Sequence, residues 1–74
     1  MAAGKEHPHR ALGKRCRELR TRRQLSQLDM VRHHEFSLSH YQKIERGDLD
    51  PRFSTLRKLA DAFGVSVSEL LRGL

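Results

Sequence analysis

The side chains of this 74-residue chain best suited to bind a charged partner are its lysines and arginines, which are concentrated in the first third of the sequence. Residues 1–24 contain eight basic and two acidic side chains, so this segment has a net charge of +6 while the rest of the chain is neutral. Such a block attracts polyanions, most commonly nucleic acid, with acidic proteins and anionic membranes as alternatives. A solvated helix face would have the same composition.

The five histidines and the single cysteine are the other groups able to do chemistry. His33 and His34 are adjacent, so on a helix they point about 100° apart, whereas structural zinc takes four Cys or His ligands. We therefore predict no metal and no cofactor. Cys16 lies within an apolar stripe and is expected to be a buried thiol. No Gly-rich phosphate loop or pocket motif is present to position catalytic groups, so we predict that the chain is not an enzyme.

The N-terminal residues 1–9 show no apolar periodicity and include Pro8, which predicts a flexible arm followed by one domain over residues 10–74. A chain of this size buries roughly 60 % of its unfolded surface, enough for one compact core. No segment approaches the roughly 20 apolar residues of a membrane span, and the N-terminus lacks the apolar core of a signal peptide. We expect a cytoplasmic protein that does not bind membranes.

Apolar residues recur at helical spacing in successive segments, and no segment of useful length alternates as a strand does. A first helix is predicted from about Arg10 to near Arg23, and the chain as a whole is predicted to be an all-α fold of five helices. Capping residues mark the other helices: N-caps at Ser26, Ser37 and Ser66, and C-terminal stops at Gly47 and Gly64. The predicted core comprises Phe36, Tyr41, Ile44, Leu59, Phe63 and Leu70.

The second and third predicted helices, about 27–33 and 38–46, are joined by roughly four residues. This is the helix-turn-helix arrangement, in which the second helix fits a DNA major groove about 12 Å wide. Over about residues 11–72 the sequence resembles the lambda-repressor-like (XRE) helix-turn-helix family. The residues that carry the resemblance are Leu25-Ser26-Gln27, Ile44-Glu45-Arg46-Gly47, and the segment from Leu56 to Ser66 that contains Leu59-Ala60 and Ala62-Phe63-Gly64-Val65.

The resemblance implies a sequence-specific regulator that binds double-stranded DNA and places residues 38–46 in the major groove. The positions that approach base edges in this family are occupied here by Ser37, Leu38, Ser39, Gln42 and Lys43. Lysine suits guanine O6 or N7, serine and glutamine hydrogen-bond several bases, and leucine meets only a thymine methyl or another apolar surface.

Other family positions imply contacts with the DNA backbone. Gln27 matches a glutamine that hydrogen-bonds a phosphate, and Arg46 and Arg52 match phosphate or minor-groove contacts. Each of the three could instead be an ordinary solvated side chain. His40 is equally open, as a base or phosphate contact or as a solvated histidine. Two further positions, Arg20 and Glu45, match an internal salt bridge between the first and third helices.

Three turn residues depart from the family pattern: Val31 replaces a small residue, His34 an aliphatic one and Glu35 a glycine. The glycine position often has positive φ, which costs about 1 kcal/mol or more for glutamate. A remodelled turn is therefore expected.

The leading hypothesis is a homodimeric transcriptional regulator, paired through the C-terminal helix, where Val67, Leu71 and Leu74 form an apolar strip. The strip could instead close the core. The alternative function is a protein-interaction module of the same fold, such as an antitoxin, an anti-repressor or a regulator-binding factor. Its support is the altered turn, the apolar Leu38 and the neutral segment 25–46.

Overall fold

In the computed structural model, which describes residues 7–74, the chain folds as five helices. The described residues contain no strand, which confirms the all-α prediction. The helices are α1 (Pro8–Arg22), α2 (Gln27–His34), α3 (Leu38–Arg46), α4 (Phe53–Phe63) and α5 (Val67–Leu70).

The first helix begins two residues earlier than predicted. Proline is favoured at the first helical position because the amide hydrogen it lacks would have no helical partner there. The imidazole of His7 accepts a hydrogen bond from the amide of His9 at 3.2 Å and so caps the helix. Pro8 and His9 of the predicted arm are therefore helical, and residues 1–6 of that arm lie outside the described residues.

Serine caps fix the starts of α2, α3 and α5, as predicted. At α2 the cap is reciprocal, because the amide of Asp29 donates to Ser26 Oγ at 3.0 Å and the amide of Ser26 donates to Asp29 Oδ2 at 2.7 Å. The backbone hydrogen bond from Ser26 lowers the pKa of Asp29 below its usual value. Ser66 and Glu69 form the same box at α5.

The turn between α2 and α3 keeps the geometry that a glycine would adopt. Glu35 has φ +61° and ψ +37°, the left-handed conformation, and its amide donates to the carbonyl of Met30. The chain therefore does not remodel the turn at this residue to avoid the strain. The two other departures from the family pattern, Val31 and His34, are half-buried.

The six predicted core residues are all buried, and α1 packs directly across α3 beside them. The crossing is close because α1 presents Gly13, where a Cβ atom would lie 2.4 Å from the carbonyl oxygen of Glu45. Gly47, at the end of α3, has φ +76° and lies against the backbone of Arg10. This crossing holds α3 at the surface with one face buried.

Candidate nucleic-acid interface

The helix α3 divides its side chains between the core and the surface. Tyr41 and Ile44 are fully buried, which anchors the helix in the bundle. Leu38, Ser39 and Lys43 are exposed on its outer side, and Leu38 retains 38 % of its accessible surface. Three of the five residues predicted to approach base edges therefore lie together on an open helical face.

The other two predicted base-contacting residues already have partners within the domain. Ser37 is exposed, but its hydroxyl accepts a hydrogen bond from the amide of His40 at 3.1 Å. Gln42 is half-buried, and its side-chain nitrogen Nε2 donates a hydrogen bond to the side-chain oxygen Oε1 of Gln27 at 3.3 Å. A base contacted by Ser37 or Gln42 would have to share the side chain with these contacts.

A buried carboxylate, Glu45, ties α1 to α3. Arg20 donates to it through two nitrogens, Nε to Oε2 at 2.6 Å and Nη2 to Oε1 at 3.2 Å, and the Tyr41 hydroxyl donates to Oε2 at 2.5 Å. Arg20 also donates to the carbonyl of Leu25 at 2.8 Å, before the start of α2. The salt bridge implied by the resemblance is present, and it fixes the mutual position of α1, α2 and α3.

The protonation of this cluster follows from its hydrogen bonds. Burial alone raises the pKa of Glu45, but hydrogen bonds from Arg20, Tyr41 and Gln27 outweigh it, and the pKa is lowered. Burial, reinforced by the hydrogen bond to Glu45, raises the pKa of Tyr41 well above its usual range. The hydrogen bond to Glu45 likewise raises the pKa of Arg20. The glutamate is thus a charged, fully hydrogen-bonded structural residue.

The first residue of α2, Gln27, joins this cluster. Its side-chain nitrogen Nε2 donates to Glu45 Oε1 at 3.1 Å, while its side-chain oxygen Oε1 accepts a hydrogen bond from Gln42. The side chain is half-buried and connects the buried carboxylate to the outer part of α3. Its predicted phosphate contact stays a prediction, and the backbone amides at the start of α2 would favour an anion there.

The three remaining predicted contact residues are Arg46, Arg52 and His40. Arg46 is exposed and its Nε lies 2.9 Å from Asp48 Oδ2. Arg52 is exposed at the N-cap of α4 and makes no side-chain capping bond. His40 is half-buried beside Phe36, with ring centres 6.0 Å apart, and shares with Arg52 a shallow pocket of about 400 Å³.

A basic face of α1 borders Arg46, and the sequence predicted its charge but not its position. Arg10, Lys14 and Arg17 line a groove of about 700 Å³ together with Arg46. Their spacing of four and three residues, which places them on one helical face, was the available signal. Only the packing of α1 across α3 shows that this face adjoins Arg46 and Asp48, at the C-terminal end of α3.

A family model described as a helix-turn-helix domain matches residues 11–72. The chain belongs to this helix-turn-helix family. It is 36 % identical over 63 residues to the HTH-type transcriptional regulator DdrOP3 of Deinococcus deserti, a match that covers 85 % of this chain and 49 % of that protein. The chain thus spans about half the length of this curated relative. No solved structure matches it.

Within the matched residues, α2 and α3 are joined by residues 35–37 in the helix-turn-helix arrangement predicted from the sequence. Membership of the family confirms the resemblance carried by the three sequence segments. The match begins at Ala11 and therefore includes most of the basic face of α1.

Near the C-terminus of this helix-turn-helix domain, apolar side chains reach the surface. Leu71 and Leu74 are 36 % and 45 % exposed and border a groove of about 260 Å³ that Pro51 and Leu56 also line. Val67, predicted to share their strip, is half-buried and packs against the core. Phe53, at the start of α4, is 65 % exposed.

The other chemical groups of the domain form no further site. Within residues 7–74, no group of three or more His, Cys, Asp or Glu side chains is arranged to hold a metal ion. Cys16 is fully buried, and burial raises the pKa of its thiol to about 12. No helix in this part of the chain has both the length and the apolarity to cross a membrane.

Proposed function

We propose that the chain is a sequence-specific transcriptional regulator that binds double-stranded DNA with α3 in the major groove. The observation that carries this proposal is the division of α3, whose inner face is anchored in the core while Leu38, Ser39 and Lys43 project from the bundle. Insertion into a groove needs an anchored helix with an open outer face, because the outer side chains can then contact bases while the inner side chains stay buried in the core.

Each residue has a distinct role in this proposal. Lys43 contacts guanine, Ser39 hydrogen-bonds a base edge, and Leu38 packs on a thymine methyl. Gln42 and Gln27 act as the hydrogen-bonded pair seen in the structure, with Gln42 toward the bases and Gln27 toward a phosphate. Ser37 approaches a base edge from the start of α3. The remaining contacts, through His40, Arg46 and Arg52, are with the DNA backbone.

The regulator is proposed to act in the cytoplasm, on the nucleoid, as a homodimer without catalytic activity or a cofactor. The apolar surface formed by Leu71, Leu74 and the groove that they border supplies the surface for pairing. A two-fold dimer places two copies of α3 about 34 Å apart, one helical turn of DNA. Analytical ultracentrifugation of the wild type and Leu71→Asp tests this, since a dimer would dissociate in the variant.

Selection of bound fragments from a pool of random duplexes tests the main proposal. We expect a palindromic motif with half-sites one helical turn apart, and a fall in affinity of about 10³–10⁵ between 50 and 200 mM salt if 6–10 phosphates are contacted. Recovery of unenriched fragments would contradict sequence-specific binding, and recovery of none would contradict DNA binding.

The second candidate function is a protein-interaction module that does not read DNA. It is favoured by one observation, the exposure of Leu28 on α2 and Leu38 on α3, which gives the helix-turn-helix motif apolar side chains outside the core. Binding to a protein by these leucines would be insensitive to salt, and Leu38→Ser would abolish it while leaving binding to random duplexes unchanged.

A further inference from the structure

We propose that α1 carries a second DNA-binding surface, formed by Arg10, Lys14 and Arg17, which holds the phosphate backbone beside the groove entered by α3. This inference rests on the proposed function and extends it to a helix outside the helix-turn-helix motif. The three residues recur along about 10 Å of helix, given a rise of 1.5 Å per residue. They therefore form a continuous cationic stripe.

The stripe is connected to α3 through a chain of side-chain contacts. Arg17 Nε lies 3.5 Å from Glu45 Oε1, the same oxygen that accepts the amide of Gln27. Gln27 in turn accepts from Gln42 on α3. A duplex with one strand against Gln27 would therefore bring its backbone to Arg17, whose side chain is 67 % exposed.

Three carboxylates also line the groove, and each is bound by a cation. Glu45 is held by Arg20 at 2.6 Å, as described above. Asp48 is held by Arg46 at 2.9 Å, and Glu18 lies 3.8 Å from Arg15 Nε.

The balance of charge at the groove is positive. The groove is lined by four cations, Arg10, Lys14, Arg17 and Arg46, and by the three carboxylates, which gives it a net charge of +1. Charge complementarity thus favours a polyanion, and the position of Arg46 in the same groove favours the DNA backbone over a lipid surface.

The α1 surface has a physical function that the outer face of α3 lacks. Residues 25–46, which contain the motif, are electrically neutral, so they give no long-range attraction to DNA. Phosphate contacts supply most non-specific affinity, independently of sequence. The stripe on α1 would therefore supply affinity and steering, while α3 supplies discrimination.

A matched pair of triple variants of the full chain tests this assignment. One variant carries Arg10→Gln, Lys14→Gln and Arg17→Gln. The control carries Arg22→Gln, Arg57→Gln and Arg72→Gln, which removes the same charge at exposed positions outside the groove. Far-UV circular dichroism and thermal unfolding establish that both variants fold. Affinity for a 30-bp random-sequence duplex is then measured from 50 to 200 mM salt by fluorescence anisotropy.

We expect the α1 variant to reduce the slope of log affinity against log salt by about 2–3, since each phosphate contact contributes about 0.9. Its affinity at 100 mM salt should fall at least tenfold more than that of the control. Equal slopes for the two variants would overturn the inference and leave the proposed function intact. Wild-type protein that fails to bind the duplex at 50 mM salt would instead overturn both.

Discussion

The ammonium group of Lys58, on α4, lies 2.8 Å from the carbonyl oxygen of Glu35, the left-handed residue that ends α2. The same nitrogen lies 4.2 Å above the ring of Phe36, the next residue. One side chain therefore holds two successive residues of the turn that sets the angle of α3. The turn tolerates a glutamate where a glycine is usual because contacts from outside the motif stabilise it.

Removal of this contact should weaken the domain. Lys58→Met keeps the length of the side chain but removes the hydrogen bond and the cation–π contact, which are worth about 1–2 kcal/mol together at a half-buried site. We expect the free energy of unfolding in urea to fall by about that amount. The adjacent exposed Arg57→Met is the control, with an expected change within about 0.5 kcal/mol. Equal effects would contradict the proposed clamp.

The strain at Glu35 predicts a stabilising substitution. Glu35→Gly relieves the left-handed conformation, and we expect the free energy of unfolding to rise by up to about 1 kcal/mol. Glu18→Gly is the matched control, because the same change within α1 should lower stability by about that much. If Glu35→Gly also destabilised the domain, the strain would be smaller than the entropy that glycine adds to the unfolded chain.

The sequence was sufficient to predict the architecture because local signals for helix ends are strong. Ser26, Ser37 and Ser66 cap helices where their side chains could satisfy free amides, and Gly47 ends α3 with positive φ. The start of α1 differs from the prediction because Pro8 is typical of an unstructured arm but also suits the first turn of a helix.

The site was harder to predict because its contacts join distant residues. Gln27 and Gln42 are 15 residues apart and pair only because α2 and α3 pack against each other. The salt bridge between Arg20 and Glu45 follows only from the family resemblance, since neither spacing nor composition indicates a pair across 25 residues. The side of the bundle that the basic residues of α1 occupy depends on where the helix crosses α3.

The close crossing of α1 and α3 predicts a change in stability opposite to the one that helix propensity predicts. Gly13→Ala would normally stabilise a helix by roughly 0.5–1 kcal/mol. Here the new Cβ atom would lie 2.4 Å from the carbonyl oxygen of Glu45, a backbone atom that cannot move without shifting α3. We expect stability to fall by about 1–3 kcal/mol, measured by thermal unfolding. A higher melting temperature in Gly13→Ala would show that the crossing relaxes freely.

The buried cluster predicts loss of stability in acid. Because the folded-state pKa of Glu45 is lowered from its usual 4.5, the unfolded chain binds more protons as the pH falls. Its contribution is therefore complete above about pH 5 and is lost as the pH drops through the folded-state pKa. Urea unfolding from pH 6 to pH 3 should show this decline. Part of it belongs to Asp29, whose pKa is also lowered, and Asp29→Asn measures that part.

A direct measurement separates Glu45 from the other acids. Its side-chain carboxyl signal, followed by NMR, should titrate with a midpoint below 4.5 in the folded protein. A midpoint at or above that value would mean that burial outweighs the hydrogen bonds from Arg20 and Tyr41. Glu45→Gln should then lower the free energy of unfolding only a little. If the hydrogen bonds prevail, the loss should be roughly 3–5 kcal/mol, because the guanidinium of Arg20 loses its charged partner.

The exposed Lys43 allows base recognition to be distinguished from attraction to the backbone. If its ammonium donates to guanine, Lys43→Ala should cost about 1–3 kcal/mol on the selected site and relax preference at one base pair. Affinity for random duplexes should change little, unlike the effect expected for the α1 variant. Binding of the single-base variants of the selected site measures this. A uniform loss on every sequence would make Lys43 a phosphate contact, because only a base contact depends on which base pair is present.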